Sequence, residues 1–175
     1  MGRRSVFART ARLLLRPGWA EDAPALAAAI ADESIVRNLA TAPWPYGLRE
    51  AEAFLAAPKD PVLPTFLLFA RTAGAPELVG ACGLGRRPSG AVELGYWIAR
   101  PHWGKGFATE AVSLLLDYAF DTLGLTAVRG STLAHNHRMQ RVFEKNGFRL
   151  VGDGSMISRY DNRRYTELFY ERRQD

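Results

Sequence analysis

Cysteine is almost absent from this chain: Cys82 stands alone in 175 residues, so no disulfide can form within it. No apolar run approaches the ~18 residues that mark a membrane-spanning helix, and no signal peptide is evident. The opening Met1-Gly2-Arg3-Arg4-Ser5-Val6 lacks the Ser or Thr that the myristoylation pattern needs at its sixth place. These absences give the expectation of a cytoplasmic protein with no membrane partner. Histidine is scarce too. His135 and His137 have no Cys or acid at ligand spacing, so no metal site is expected. No Walker G-x-x-x-x-G-K-[ST] run occurs, nor a Rossmann G-x-G-x-x-G at the start of a βαβ unit. Zinc-finger and helix-turn-helix patterns are missing as well. The net charge of +5 invites a nucleic-acid reading. However, its arginines fall in scattered pairs, Arg86-Arg87, Arg163-Arg164 and Arg172-Arg173, with no interleaved aromatics. Nucleic acid is therefore not an expected partner, and a basic surface equally suits a ligand carrying several phosphates.

What is present supports one domain with a real core: 47% of the residues are apolar, and no linker separates a second hydrophobic block. Residues 1–10 read as a loose tail and 11–175 as the domain. A first strand is expected over 11–16, then helices over 21–31, 32–39 and 48–57, with a proline-broken loop at 41–47. Strands over 66–71, 77–85 and 91–99 follow, each beside a short turn, which makes an antiparallel meander. Apolar residues at 108, 111, 112, 115, 119 and 123 predict a helix over 108–123 packed on the sheet. A helical crossover then leads to a strand over 127–133, parallel to the one bearing Glu93. A helix from Asn136 and strands over 148–157 and 164–171 complete an α/β fold, a mixed sheet of about seven strands with helices on both faces.

The most informative stretch is Trp103-Gly104-Lys105-Gly106-Phe107-Ala108-Thr109-Glu110-Ala111. Two glycines between a strand and a helix let successive N–H groups converge, and the helix start adds unpaired donors and positive potential. Such a cradle suits a phosphate or pyrophosphate. Downstream, Asn136-His137-Arg138-Met139-Gln140-Arg141-Val142-Phe143-Glu144-Lys145-Asn146-Gly147-Phe148 reads as a helix capped by Asn136 and closed by Gly147. Together these two motifs resemble the GNAT superfamily of acyl-CoA N-acyltransferases. The first is similar to its [Q/R]-x-x-G-x-[G/A] loop with Trp103 in the Gln/Arg place, and the second to its N-x-x-[S/A]-x-x-[V/L]-[Y/F/L]-E-K-x-G-F signature. With Glu93-Leu94-Gly95-Tyr96-Trp97-Ile98 ahead of the loop and the Trp44-to-Phe54 run upstream, the chain looks most like the branch of ribosomal-protein N-terminal acetyltransferases. The resemblance spans roughly residues 11 to 171.

It implies a GNAT fold whose two central parallel strands splay apart, and an N-acetyltransferase that moves acetyl directly from acetyl-CoA to a primary amine. The acceptor would be a peptide N-terminus, a ribosomal protein or a small amine; a homodimer is compatible with this reading. Amides of Gly104, Lys105, Gly106, Phe107, Ala108 and Thr109 would hold the pyrophosphate, with the Thr109 hydroxyl helping. The backbone at Trp97 and Ile98 would pair with the pantetheine arm, and Asn136 would hydrogen-bond it. Glu93 is the expected general base, with His135 a less favoured candidate, and Trp44 and Tyr46 are expected to line the acceptor pocket. Phe143, placed among the cofactor contacts, stands where many relatives carry the tyrosine that protonates the thiolate. Met139 stands where others carry serine. The general acid is thus unassigned, which leaves a non-catalytic acyl-CoA sensor as the alternative function.

Overall fold

The structure, a computed structural model, describes residues 7–39 and 41–175. Alternation along one strand decides the layers. In Thr65–Ala70 (β3), Phe66, Leu68 and Ala70 point into one core while Leu67 and Phe69 point into another. The first core packs beneath helix α4 (Phe107–Asp117) and also receives Phe143 of helix α5 (His137–Lys145). The second lies beneath α1 (Ala23–Ile30), α2 (Glu33–Val36) and α3 (Leu48–Ala56). Helices therefore cover both faces of a single sheet, as expected.

That sheet has eight strands among the described residues. β1 (Ala8–Arg9), β2 (Leu13–Arg16), β3, β4 (Glu77–Arg86) and β5 (Val92–Ile98) run antiparallel, each beside the next. β6 (Ala127–Leu133) follows, then β8 (Arg164–Arg173) and, at the edge, β7 (Arg149–Ile157). The added strand is β1. Residues 1–6 of the expected tail lie outside the described residues, but Ala8 and Arg9 pair with Leu15 and Leu14, so a loose tail does not extend to residue 10.

The long helix differs at both ends from the sequence reading. Gly106 takes a left-handed φ of 81°, which a glycine adopts without strain, and so lets the helix begin at Phe107. At its far end the helix widens into a π-helical turn over Tyr118–Thr122. It buries Phe107, Ala111, Val112, Leu115 and Leu116 against the sheet, and Ala119 of the following turn is buried too.

One joint in the sheet positions the site. β4 and β5 pair continuously from Gly80↔Ile98 to Arg86↔Val92, whereas the parallel contact between β5 and β6 is confined to Glu93↔Arg129. Beyond Glu93 the two strands part. The wedge between them opens toward the C-terminal end of β5 and the start of α5.

Candidate functional site

A cavity of about 680 Å³ fills that wedge, within the usual range for small-molecule sites. Tyr96, Trp97 and Ile98 of β5 form one wall. Gly104, Gly106, Phe107, Ala108 and Thr109 form the second, His135, Asn136 and Met139 the third, and residues from Ser34 to Leu39 the fourth. Burial pushes the Tyr96 phenol well above its ordinary value, so its hydroxyl stays protonated.

The loop wall has the backbone geometry of a glycine turn leading into a helix start. Gly104 and Gly106 both have positive φ, and the first intrahelical bond runs from the Glu110 N–H back to the Gly106 carbonyl. The amides from Gly106 to Thr109 are thus the unpaired donors of a helix start. Arg12 holds this loop from outside. Its Nη1 donates to the Lys105 carbonyl at 2.7 Å, its Nε donates to Glu110 Oε2 at 2.8 Å, and its Nη2 lies 2.7 Å from the same oxygen. Thr10 donates to the other carboxylate oxygen. Burial works to raise the Glu110 pKa, but the bonds from Thr10 and Arg12 outweigh it and hold it below the usual value.

Positive charge gathers around the same opening. Arg37, Arg138, Arg141 and Lys145 border it, and Trp103 is stacked between the guanidinium groups of Arg100 (4.4 Å) and Arg138 (4.7 Å). The Trp103 indole N–H donates to the Ile98 carbonyl at 2.6 Å, which ties the loop to the end of β5. Sequence reasoning missed the three cations of α5, although positions 138, 141 and 145 share one helix face and the stripe was there to be read. Nothing local marked Arg37 or Asn38, which α2 brings in from the other side of the sheet.

The structure brings together Trp97, Ile98, Gly104, Gly106, Phe107, Ala108, Thr109 and Asn136, all bordering the cavity. Asn136 also caps α5, its Oδ1 accepting the Met139 N–H at 3.3 Å. Other expected site residues lie elsewhere. The Glu93 carboxylate is paired with Arg87 and accepts the Ser131 hydroxyl at 3.1 Å, and it is not part of the cavity lining. The Lys105 ammonium turns to His102 Nδ1 at 3.3 Å, and the far side of that ring meets Glu77. Phe143 is 0% exposed, its ring against Phe148 and Tyr170 in the core and away from the cavity. Tyr46 is buried in the other core, and Trp44 lies against Tyr160, so neither borders the cavity. Among the described residues no group of three or more His, Cys, Asp or Glu is arranged to hold a metal. None of the described helices is long and apolar enough to cross a membrane.

A family model described as an acetyltransferase (GNAT) domain matches residues 12–149. The uncharacterised N-acetyltransferase YoaA of Bacillus subtilis (strain 168) is 30% identical over 156 residues, covering 82% of each protein. Alignments to two other curated relatives cover 44% and 46% of their lengths, so there the chain spans about half of the protein it matches. Among solved structures, a GNAT-family acetyltransferase from Bacillus anthracis superposes with a TM-score of 0.82 at 22% identity, over 96% of this chain and 98% of that one. RimL, a ribosomal L7/L12 alpha-N-protein acetyltransferase solved with coenzyme A, gives a TM-score of 0.80 at 17% identity, over 97% and 99%.

Proposed function

This chain belongs to the GNAT acetyltransferase family, and from that premise we propose that it moves an acetyl group from acetyl-CoA directly to a primary amine. The observation that carries the reading is the wedge between β5 and β6, with an anion cradle on one wall and a ring of cations at its opening. A ligand with a long thin arm and several phosphates fits that combination. Bound acetyl-CoA supplies an activated acyl group with a thiolate as leaving group.

The residues divide the remaining work. Amides from Gly104 to Thr109 receive the pyrophosphate, while Arg138, Arg141 and Lys145 lower the cost of collecting its charge. Past Glu93, the unpaired side of β5 presents the alternate amides of Tyr96 and Ile98, which receive the pantetheine arm as a neighbouring strand would, while the Trp97 amide faces β4. One of their N–H groups polarises the thioester carbonyl as charge develops on its oxygen. Transfer needs no acyl-enzyme, and Cys82 fits that requirement: it is buried, and its thiol is pushed up to about 12. We take residues 8–175 as one catalytic domain, because β1 joins the sheet that the two cores share. The acceptor enters from the α1–α3 face; a peptide α-amine, as in a ribosomal protein, is the favoured class, given RimL among the structural neighbours.

Calorimetric titration with acetyl-CoA, followed by mass spectrometry of peptide and small-amine acceptors, tests the proposal. Binding with acetylated product is expected. No binding would refute it, and binding without turnover across the panel would instead favour an acyl-CoA sensor. A second expectation concerns Arg12, which acts on the pyrophosphate loop alone. Arg12→Ala should raise the KM for acetyl-CoA on the order of tenfold, the equivalent of one charge-assisted hydrogen bond. The KM for acetyl-pantetheine, which lacks the pyrophosphate, should not move. Equal losses for the two donors would show that Arg12 supports the fold and not the loop.

A further inference from the structure

We propose that His135 carries the proton from the attacking amine to the departing thiolate, an inference that rests on the acetyl-transfer reading above. His135 follows β6 and immediately precedes Asn136, and it lines the same cavity as Trp97 and Ile98. Its tautomer is set by a neighbour. Asn38 donates its Nδ2 to the Ser34 carbonyl at 2.9 Å, which turns its Oδ1 toward His135 Nε2 at 3.0 Å. An amide oxygen can only accept, so Nε2 bears the hydrogen of the neutral ring. Nδ1 then holds the lone pair, and it makes no hydrogen bond among the described residues.

The surroundings keep that ring neutral at pH 7. Partial desolvation of this otherwise exposed ring is the first cause that lowers its pKa from the ordinary imidazole value, and the positive charge of Arg37 and the nearby His137 add to it. From β8, Tyr165 meets the ring edge-on at 5.5 Å, and its hydroxyl donates to Asp161 at 2.6 Å, so that carboxylate is engaged elsewhere. His135 is therefore a neutral base with an available lone pair beside the wedge. Glu93, in contrast, is neutralised by Arg87.

The step balances around this one ring. The neutral amine attacks the carbonyl carbon of the thioester, and the C–N bond forms. The surplus proton on nitrogen passes to Nδ1, giving an imidazolium. The C–S bond breaks with its electron pair on sulfur, and the imidazolium returns the proton through water to the thiolate. The products are the amide and the free thiol, and the ring is neutral again. This assignment also accounts for the acid that neither Phe143 nor Met139 can provide. Held below its ordinary imidazole value, the ring is a free base at neutral pH, and the imidazolium it becomes gives its proton up readily.

Two readouts test it on the full chain. In ligand-free protein labelled with 15N-histidine, the His135 signals are identified by their loss in His135→Asn. They should report protonated Nε2, unprotonated Nδ1 and a pKa below that of free imidazole; the opposite tautomer would overturn the proposal. With acetyl-CoA and a peptide bearing a free amino-terminal serine, His135→Asn should lower kcat about 100-fold. It should also remove the acidic limb of the pH profile while acetyl-CoA affinity by calorimetry stays unchanged. Asn38→Asp should move that limb upward, because a carboxylate at Nε2 stabilises the imidazolium. An acidic limb that persists in His135→Asn but vanishes in Glu93→Gln would return the role to Glu93. Absence of acetyl-CoA binding by the unmutated chain would sink the transfer reading, and this proposal with it.

Discussion

Gly106→Asp should abolish acetyl-CoA binding, with a loss of affinity of at least about 100-fold. Three effects act together. At φ 81° an Asp pays on the order of 1–2 kcal/mol relative to glycine. Its Cβ would stand 3.2 Å from Arg12 Nη2, in the path of the side chain that secures the loop. Its carboxylate would sit at the helix start, satisfying the amides meant for the phosphates and repelling the ligand's own charge. The last term is the largest, and Gly106→Asn separates it: similar shape and backbone demand, but no charge. Calorimetry should show a severe loss for Asp and a milder one for Asn, with circular dichroism unchanged in both. Normal affinity in Gly106→Asp would remove the cradle from the cofactor site.

The second large effect concerns stability. Phe143 is fully buried, with ring centroids 4.8 Å from Phe148 and 5.3 Å from Tyr170. Phe143→Ala should cost about 3–5 kcal/mol, lost burial plus the cavity left behind. In a chain of this size that is a fall in Tm on the order of 10 °C. Phe143→Tyr is the more revealing change, because it restores the residue that many relatives use as an acid. The Phe143 Cζ already lies 2.5 Å from where a Cβ on Gly130 would stand, so the ring tip abuts that glycine. An added hydroxyl there is overpacked, at about 1–3 kcal/mol, and points into the core. Lower Tm with no gain in kcat is the expected outcome. A faster enzyme with intact stability would mean that position 143 can reach the thioester.

Residue patterns made much of this visible. The run of turns announced the meander, and β6 occupies 127–133, where a strand was expected after the helical crossover. Both motifs came to one cavity because the chain order of a strand, a loop, a helix and a crossover leaves little choice of placement. Other features were out of reach for identifiable reasons. β1 has two residues, too few for any period to show. The parting of β5 from β6 is an absence of pairing, and composition carries no mark of it. The fate of Glu93 turns on Arg87, six positions earlier across the β4–β5 turn, whose long side chain has many places to go. Phe143 belongs to the motif by spacing, yet the helix turns it inward, where its ring packs over Gly130. The tie between Arg12 and Glu110 spans 98 positions, a distance over which two charges in a sequence say nothing about each other.

That tie bears on the order in which the molecule assembles. Segments far apart in sequence meet late, because chain entropy must be surrendered before their contact returns anything. The glycine loop and α4 can form locally, but the clasp that holds the loop in shape waits for the first strands to dock from the start of the described chain. A nearly folded intermediate would have a sheet, helices and an open wedge, yet hold its ligand poorly. Competence to bind thus waits on this long-range contact, and the ligand, by favouring the completed state, stabilises it.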